Sequence, residues 1–92
     1  MTTRVAHVND RELGAIYIGR PSKWGNPFHL PLGASARERD ECIQRYRDWL
    51  STQPRLVTEA RVRLHGKTLA CFCSPKACHG DVLAAVVDGE EP

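Results

Sequence analysis

The chain contains no run approaching the roughly 20 apolar residues that a membrane helix needs, which excludes a helical membrane span. Its opening residues, Met1-Thr2-Thr3-Arg4, lack the apolar core of a secretory signal. A cytoplasmic location is therefore expected. Internal repeats and low-complexity segments are also missing. So is an excess of one charge: 13 Lys and Arg against 11 Asp and Glu leave a formal +2, with both signs interleaved along most of the chain. Proteins whose affinity rests on neutralising many phosphates carry a dense basic face, so composition does not favour nucleic acid as a partner.

What is present fits one soluble domain. At 92 residues, 41% hydrophobic and 26% charged, the chain can bury a single modest core. The domain is expected over residues 1–89, with 90–92 as a frayed tail.

Chemistry-bearing residues concentrate in Cys71-Phe72-Cys73-Ser74-Pro75-Lys76-Ala77-Cys78-His79-Gly80-Asp81, where three of the four cysteines lie close to a histidine. In a reducing cytosol such thiols point to metal binding or catalysis before disulfides.

Periodicity divides the chain into short alternating elements. Arg4 to Val8 and Ala15 to Ile18 read as strands, the first closed by Asn9-Asp10 and the second by Gly19. A helix is predicted from about Ser35 to Leu50, with Ser35 and Glu38 spaced as a capping box and an apolar stripe of Cys42, Ile43, Tyr46, Trp49 and Leu50. A weaker helix starts near Pro54 and stops at Gly66. Lys67 to Phe72 reads as a strand buried on both faces, and Asp81 to Val87 as a short apolar helix ended by Gly89. This order predicts an α/β fold: a short, mostly parallel sheet flanked by helices, Rossmann-like, in three-layer or partial form. In such sheets ligands bind beyond the carboxyl ends of the strands, where the Cys/His cluster falls.

Several blocks carry a resemblance: Tyr17-Ile18-Gly19-Arg20-Pro21-Ser22, Gly25-Asn26-Pro27-Phe28, Arg45-Tyr46 with Trp49, and Leu69-Ala70-Cys71-Phe72-Cys73 followed by Pro75 and Cys78-His79-Gly80-Asp81-Val82-Leu83. From about Val5 to Leu83 the chain resembles a family of mostly phage-borne proteins catalogued as domain of unknown function 4326. The resemblance implies a stand-alone phage or prophage accessory protein and transfers no mechanism.

Chemistry must then come from the residues. Cys71, Cys73, Cys78 and His79 match the ligand count of a Cys-Cys-Cys-His zinc site. Side chains two apart on a strand sit about 6–7 Å apart, whereas two zinc-bound sulfurs lie about 3.8 Å apart, so either the chain bends at Cys73 or Cys71 is not a ligand. The usual two-residue knuckle spacing is missing. A nucleophile reading instead puts Cys78 or Cys73 near the amino end of the last helix, whose dipole lowers a thiol pKa, with His79 or Asp81 as acid or base. The plainer reading is packing, strongest for Cys42 and even with ligation for Cys71.

The loop from Gly19 to Phe28 is the second candidate site. Arg20, Ser22, Lys23 and Asn26 offer donors suited to a phosphate or carboxylate, and Gly19 and Gly25 leave room for backbone approach. The alternative is a turn at Asn26-Pro27 with Trp24 and Phe28 covering the core. His7 and His65 are expected to be structural, while His29 follows the loop. Three functions are compatible with these features: a module binding a nucleotide-like or other anionic small ligand between the two loops, with or without zinc; a small cysteine- or zinc-dependent enzyme acting on a nucleotide or modified base; and an inhibitor of a host protein, which surface exposure of Trp24 or Phe28 would support.

Overall fold

Residues 3–10, 14–28, 31, 33–72 and 78–92 are described by a computed structural model. Three of the short β-prone runs form strands: β1 (Arg4–His7), β2 (Ile16–Tyr17) and β3 (Thr68–Cys71). All pair in parallel, in the order β1-β3-β2. Arg4 lies opposite Thr68 and His7 opposite Cys71, while Ile16 and Tyr17 lie opposite Leu69 and Ala70. The Ile18 amide extends the second ladder by donating to the Ala70 carbonyl at 3.0 Å. Val8–Asp10, expected in part as strand, instead forms a turn of 3-10 helix.

Parallel strands need crossovers, and helices supply them. Helix α1 (Ala36–Leu50) begins where the capping box indicates: the Ser35 hydroxyl accepts from the Glu38 amide at 3.1 Å, and the Glu38 carboxylate accepts from the Ser35 amide at 3.1 Å. Its stripe turns Tyr46 and Leu50 fully inward and leaves Cys42, Ile43 and Trp49 half-buried. Helix α2 (Pro54–Arg63) starts at the proline, and Gly66, at φ 74°, turns the chain toward β3. Helix α3 (His79–Val87) packs on β1 and β3, and α1 and α2 pack on α3 in turn.

The core lies between these helices and one face of the sheet. Ile18, Tyr46, Leu50, Leu64, Leu69, Leu83 and Val86 are its largest sealed side chains. Each buried aliphatic contributes about 1.5–3 kcal/mol relative to exposure. Burial along β3 alternates, with Leu69 and Cys71 sealed and Thr68 and Ala70 half-exposed. This corrects the reading of β3 as buried on both faces: the helices cover one side fully, so the layering is the partial form.

Long-range polar ties close the structure. Thr3 donates through its hydroxyl (2.7 Å) and its amide (3.0 Å) to the Asp88 carboxylate, and its hydroxyl accepts from the Gly66 amide at 2.9 Å. Arg61 donates to the Val86 carbonyl at 3.0 Å, bringing a cation to the carboxyl end of α3, where the helix dipole favours one. The tail expected to fray is held at Glu90 and Glu91: the Glu90 amide donates to the Ala85 carbonyl, and Arg47 and Arg61 donate to tail oxygens. Among the described residues, no helix is long and apolar enough to cross a membrane.

Candidate functional site

His7, Tyr17 and Cys71 are the last residues of β1, β2 and β3, so the parallel sheet gathers all three at one rim. The next residue after β3, Phe72, stands 67% exposed there. Its ring meets those of Tyr17 (centroids 5.9 Å apart, planes at 81°) and His7 (6.3 Å, 90°) edge to face. Tyr17 is held in place: its hydroxyl donates to the Arg20 carbonyl at 2.9 Å, and a Cβ at Gly19 would overlap its phenol ring. A residue with any side chain at position 19 would push the phenol out. His7 is fixed by the Asn9 amide, which donates to its Nδ1 at 3.0 Å.

The amino end of α3 reaches the same rim. Cys78 is the N-cap: its sulfur accepts from the Gly80 amide at 3.3 Å, while the Asp81 carboxylate accepts from the Cys78 amide at 3.0 Å. This capping box, with cysteine in the serine role, starts the helix at His79, two residues before the expected Asp81. Asp81 thereby acts as a cap and places a negative charge where an anion would otherwise favour the helix end.

The Cys78 sulfur also lies 3.2 Å from that of Cys71, both sealed in the interior. The Cys71 thiol and burial, in that order, push the Cys78 thiol well above its ordinary pKa. Cys78 sits at the helix end, but its partner sulfur and its burial oppose its ionisation.

His79 turns elsewhere. Its Nε2 lies 2.9 Å from the Ile18 carbonyl, and its ring edge rests on Tyr46 with centroids 5.0 Å apart. A carbonyl only accepts, so Nε2 carries the proton and the lone pair belongs to Nδ1. Burial, above all, holds the His79 pKa below its ordinary value, with Arg20 adding to the effect. Its contact with Ile18 joins the first residue of α3 to the residue that precedes the 19–28 loop.

A linkage effect follows. Because the folded pKa of His79 is depressed, the unfolded chain binds its proton more readily. Stability should therefore be complete above about pH 6.5 and decline as pH falls from there toward the folded pKa. His79→Gln should flatten that segment of a denaturation-midpoint profile. Carboxylates cannot mimic it: Glu59, lowered mainly by its hydrogen bond from Lys23, and Asp88, lowered mainly by Thr3, lose their contributions only below about 4.5 and 3.8.

The other predicted anion ligands are divided between structure and surface. Lys23 pairs with Glu59 of α2 and lies 5.2 Å from the centre of the Trp24 ring. Asn26 builds the turn, its side-chain oxygen accepting from the Phe28 amide at 2.9 Å and its amide nitrogen 3.5 Å from the Cys42 sulfur. Ser22 has a covered hydroxyl with no hydrogen-bond partner among the described residues. Arg20 is exposed beside His79 and folds over Gly25, where a Cβ would lie 2.9 Å from its Cγ. Trp24 is buried, and the Tyr46 hydroxyl donates to its carbonyl at 2.9 Å. Trp24 is therefore core cover and offers no surface to a host protein. An open depression on α2, lined by Pro54, Arg55, Thr58, Glu59, Val62 and Arg63, includes none of the predicted site residues.

Zinc would need more than the described residues supply. The Cys71 and Cys78 sulfurs are nearer than the roughly 3.8 Å of two zinc-bound thiolates, within reach of a small side-chain adjustment. His79, with one nitrogen on a carbonyl, has the second-shell bond typical of a ligating histidine. Among the described residues no group of three or more His, Cys, Asp or Glu side chains is arranged to hold a metal. Cys73, the fourth predicted ligand and an alternative nucleophile, lies outside the described residues, as does His29.

The family model described as Domain of unknown function (DUF4326) matches residues 3–89. The chain belongs to that family. An uncharacterized 12.4 kDa protein in the nrdA-td intergenic region of Enterobacteria phage T4 is 33% identical over 76 residues, covering 79% of this chain and 67% of the phage protein. The family resemblance expected from the Tyr17–Ser22 and Leu69–Leu83 blocks is thus met, and with it a phage association. No solved structure matches the chain.

Sequence reasoning overlooked Phe72, Tyr17 and Tyr46 as parts of the site. Alternation from Leu69 and Cys71 places Ala70 and Phe72 on the opposite face of β3, the signal that could have marked Phe72 as an outward ring.

Proposed function

We propose that this protein is a binding module for a nucleotide-like or other anionic small ligand, held at the rim between the Cys71–Asp81 segment and the Gly19–Phe28 loop. The observation that carries the reading is the His79–Ile18 contact, which brings both segments together beyond the carboxyl ends of three parallel strands. Arg20, exposed at the start of the loop and felt electrostatically at His79, is the side chain that meets the anion in this reading. The upward push on the Cys78 thiol pKa from Cys71 and from burial favours binding over thiolate catalysis at that sulfur. A zinc-assisted form of the same site draws support from the closely spaced Cys71 and Cys78 sulfurs.

Thermal unfolding with inorganic phosphate, ribose 5-phosphate and nucleoside 5′-monophosphates, each with and without zinc, tests this. A ligand at a hundred times its Kd should stabilise the fold by about 2.7 kcal/mol, and Arg20→Ala should diminish the gain. A gain that needs zinc and disappears in Cys71→Ser would select the metal-assisted form. If no anion raises the midpoint, the reading fails.

A further inference from the structure

We propose that the rim recognises the base of its ligand by stacking it in the aromatic corner formed by Phe72 and Tyr17, which makes a purine or pyrimidine ring carrying phosphate the preferred occupant. The inference rests on the ligand-binding reading above and specifies the ligand class.

Three independent features converge on the corner. Phe72 presents a large aromatic surface to solvent at the end of a central strand, a placement that core packing does not require. Tyr17 stands almost perpendicular to it, so a planar ring lying on one aromatic face would meet the other edge-on, as aromatic groups prefer. Tyr17 is also set before any ligand arrives, by its bond to the Arg20 carbonyl and by the glycine beneath its ring. A preset wall loses little freedom on binding.

Charge narrows the choice. The residue whose carbonyl anchors Tyr17 is Arg20, an exposed cation that is felt electrostatically at His79. An aromatic face and a guanidinium fixed to one turn match a base and a phosphate carried on one small molecule. The capped helix end carries Asp81 in its first turn, so the positive charge cited here is that of Arg20. A bare aliphatic or a sugar phosphate would use half of the site.

Affinities for the four nucleoside 5′-monophosphates, ribose 5-phosphate and a thymidine tetranucleotide, read by calorimetry on the wild type, Phe72→Ala and Phe72→Tyr, decide the matter. Stacking predicts that Phe72→Ala weakens monophosphate binding by roughly 5- to 150-fold, that Phe72→Tyr restores most of it, and that ribose 5-phosphate binds weakly and is indifferent to both changes. Because Phe72 is largely exposed, all variants should fold, and matching circular dichroism verifies this. A tetranucleotide that binds more tightly than the monophosphates, and still depends on Phe72, would place the same base chemistry on a strand end. Equal binding of ribose 5-phosphate and monophosphates, unaffected by Phe72→Ala, would overturn stacking while leaving the anion site intact. Absence of binding by every probe would remove both the stacking and the underlying reading.

Discussion

Tyr46→Ala should lower unfolding stability by about 3–5 kcal/mol, the range for truncating a large buried aromatic. Tyr46 is fully sealed, lies against Trp49 with ring centroids 5.7 Å apart, and carries the ring edge of His79. Its hydroxyl, pushed above the usual tyrosine pKa by burial and then by Cys78, remains a neutral donor and holds the Trp24 carbonyl. Tyr46→Phe separates the two roles. It keeps the ring and leaves one buried carbonyl without its donor, for a loss of about 1–3 kcal/mol. Urea denaturation of both variants measures the difference. Equal losses would mean that the hydroxyl carries the whole effect, and a silent Tyr46→Phe would mean that the 19–28 loop does not depend on this anchor.

Gly80→Ala poses a contest between two effects of known size. Within a helix, alanine normally gains up to about 1 kcal/mol over glycine. Here an added Cβ would lie 2.8 Å from Ile18 Cδ1 and 3.2 Å from both Cys78 Sγ and Val5 Cγ1. Ile18 is completely buried and cannot swing aside, so the overpacking cost of about 1–3 kcal/mol should prevail. The expected result is a net loss of stability, seen as a lower urea midpoint with an unchanged slope. The same substitution separates α3 from the strand that leads into the 19–28 loop, so ligand affinity should fall with it. A stabilised Gly80→Ala protein would show that α3 can lift from Ile18 without penalty.

How much of this could be read from the sequence depended on whether a local rule had one outcome. Helix α1 was legible because Ser35 and Glu38 form a reciprocal cap and the stripe through Tyr46 and Leu50 has a single amphipathic solution. Pro54 and Gly66 likewise marked the limits of α2 and its turn. Strand β3 misled because Leu69 to Phe72 is continuously apolar or small. Such a run does not disclose that only one face will be covered, and Phe72 was absorbed into it. The Cys/His cluster was located correctly in the chain, but its internal geometry depends on contacts distant in sequence. Cys78 finds Cys71 and the Gly80 amide, while His79 finds Ile18, and no spacing rule distinguishes these destinations from a shared metal. Lys23 and Asn26 looked like ligands because their donors are visible in sequence, whereas their partners Glu59 and Cys42 come from helices elsewhere.

The position of β3 in the middle of the sheet bears on how the chain is made. β1 and β2 each pair with β3, and both wait for a strand encoded after α1 and α2. During synthesis, two edges that will later be zipped together leave the ribosome with no mate, while α1 and α2 can already begin to coil from local contacts. Productive collapse then turns on two late arrivals, β3 and the helix α3 on which α1 and α2 pack. A stalled or truncated message ending before Thr68 would yield a product with helices but no sheet, prone to association through its orphaned strands.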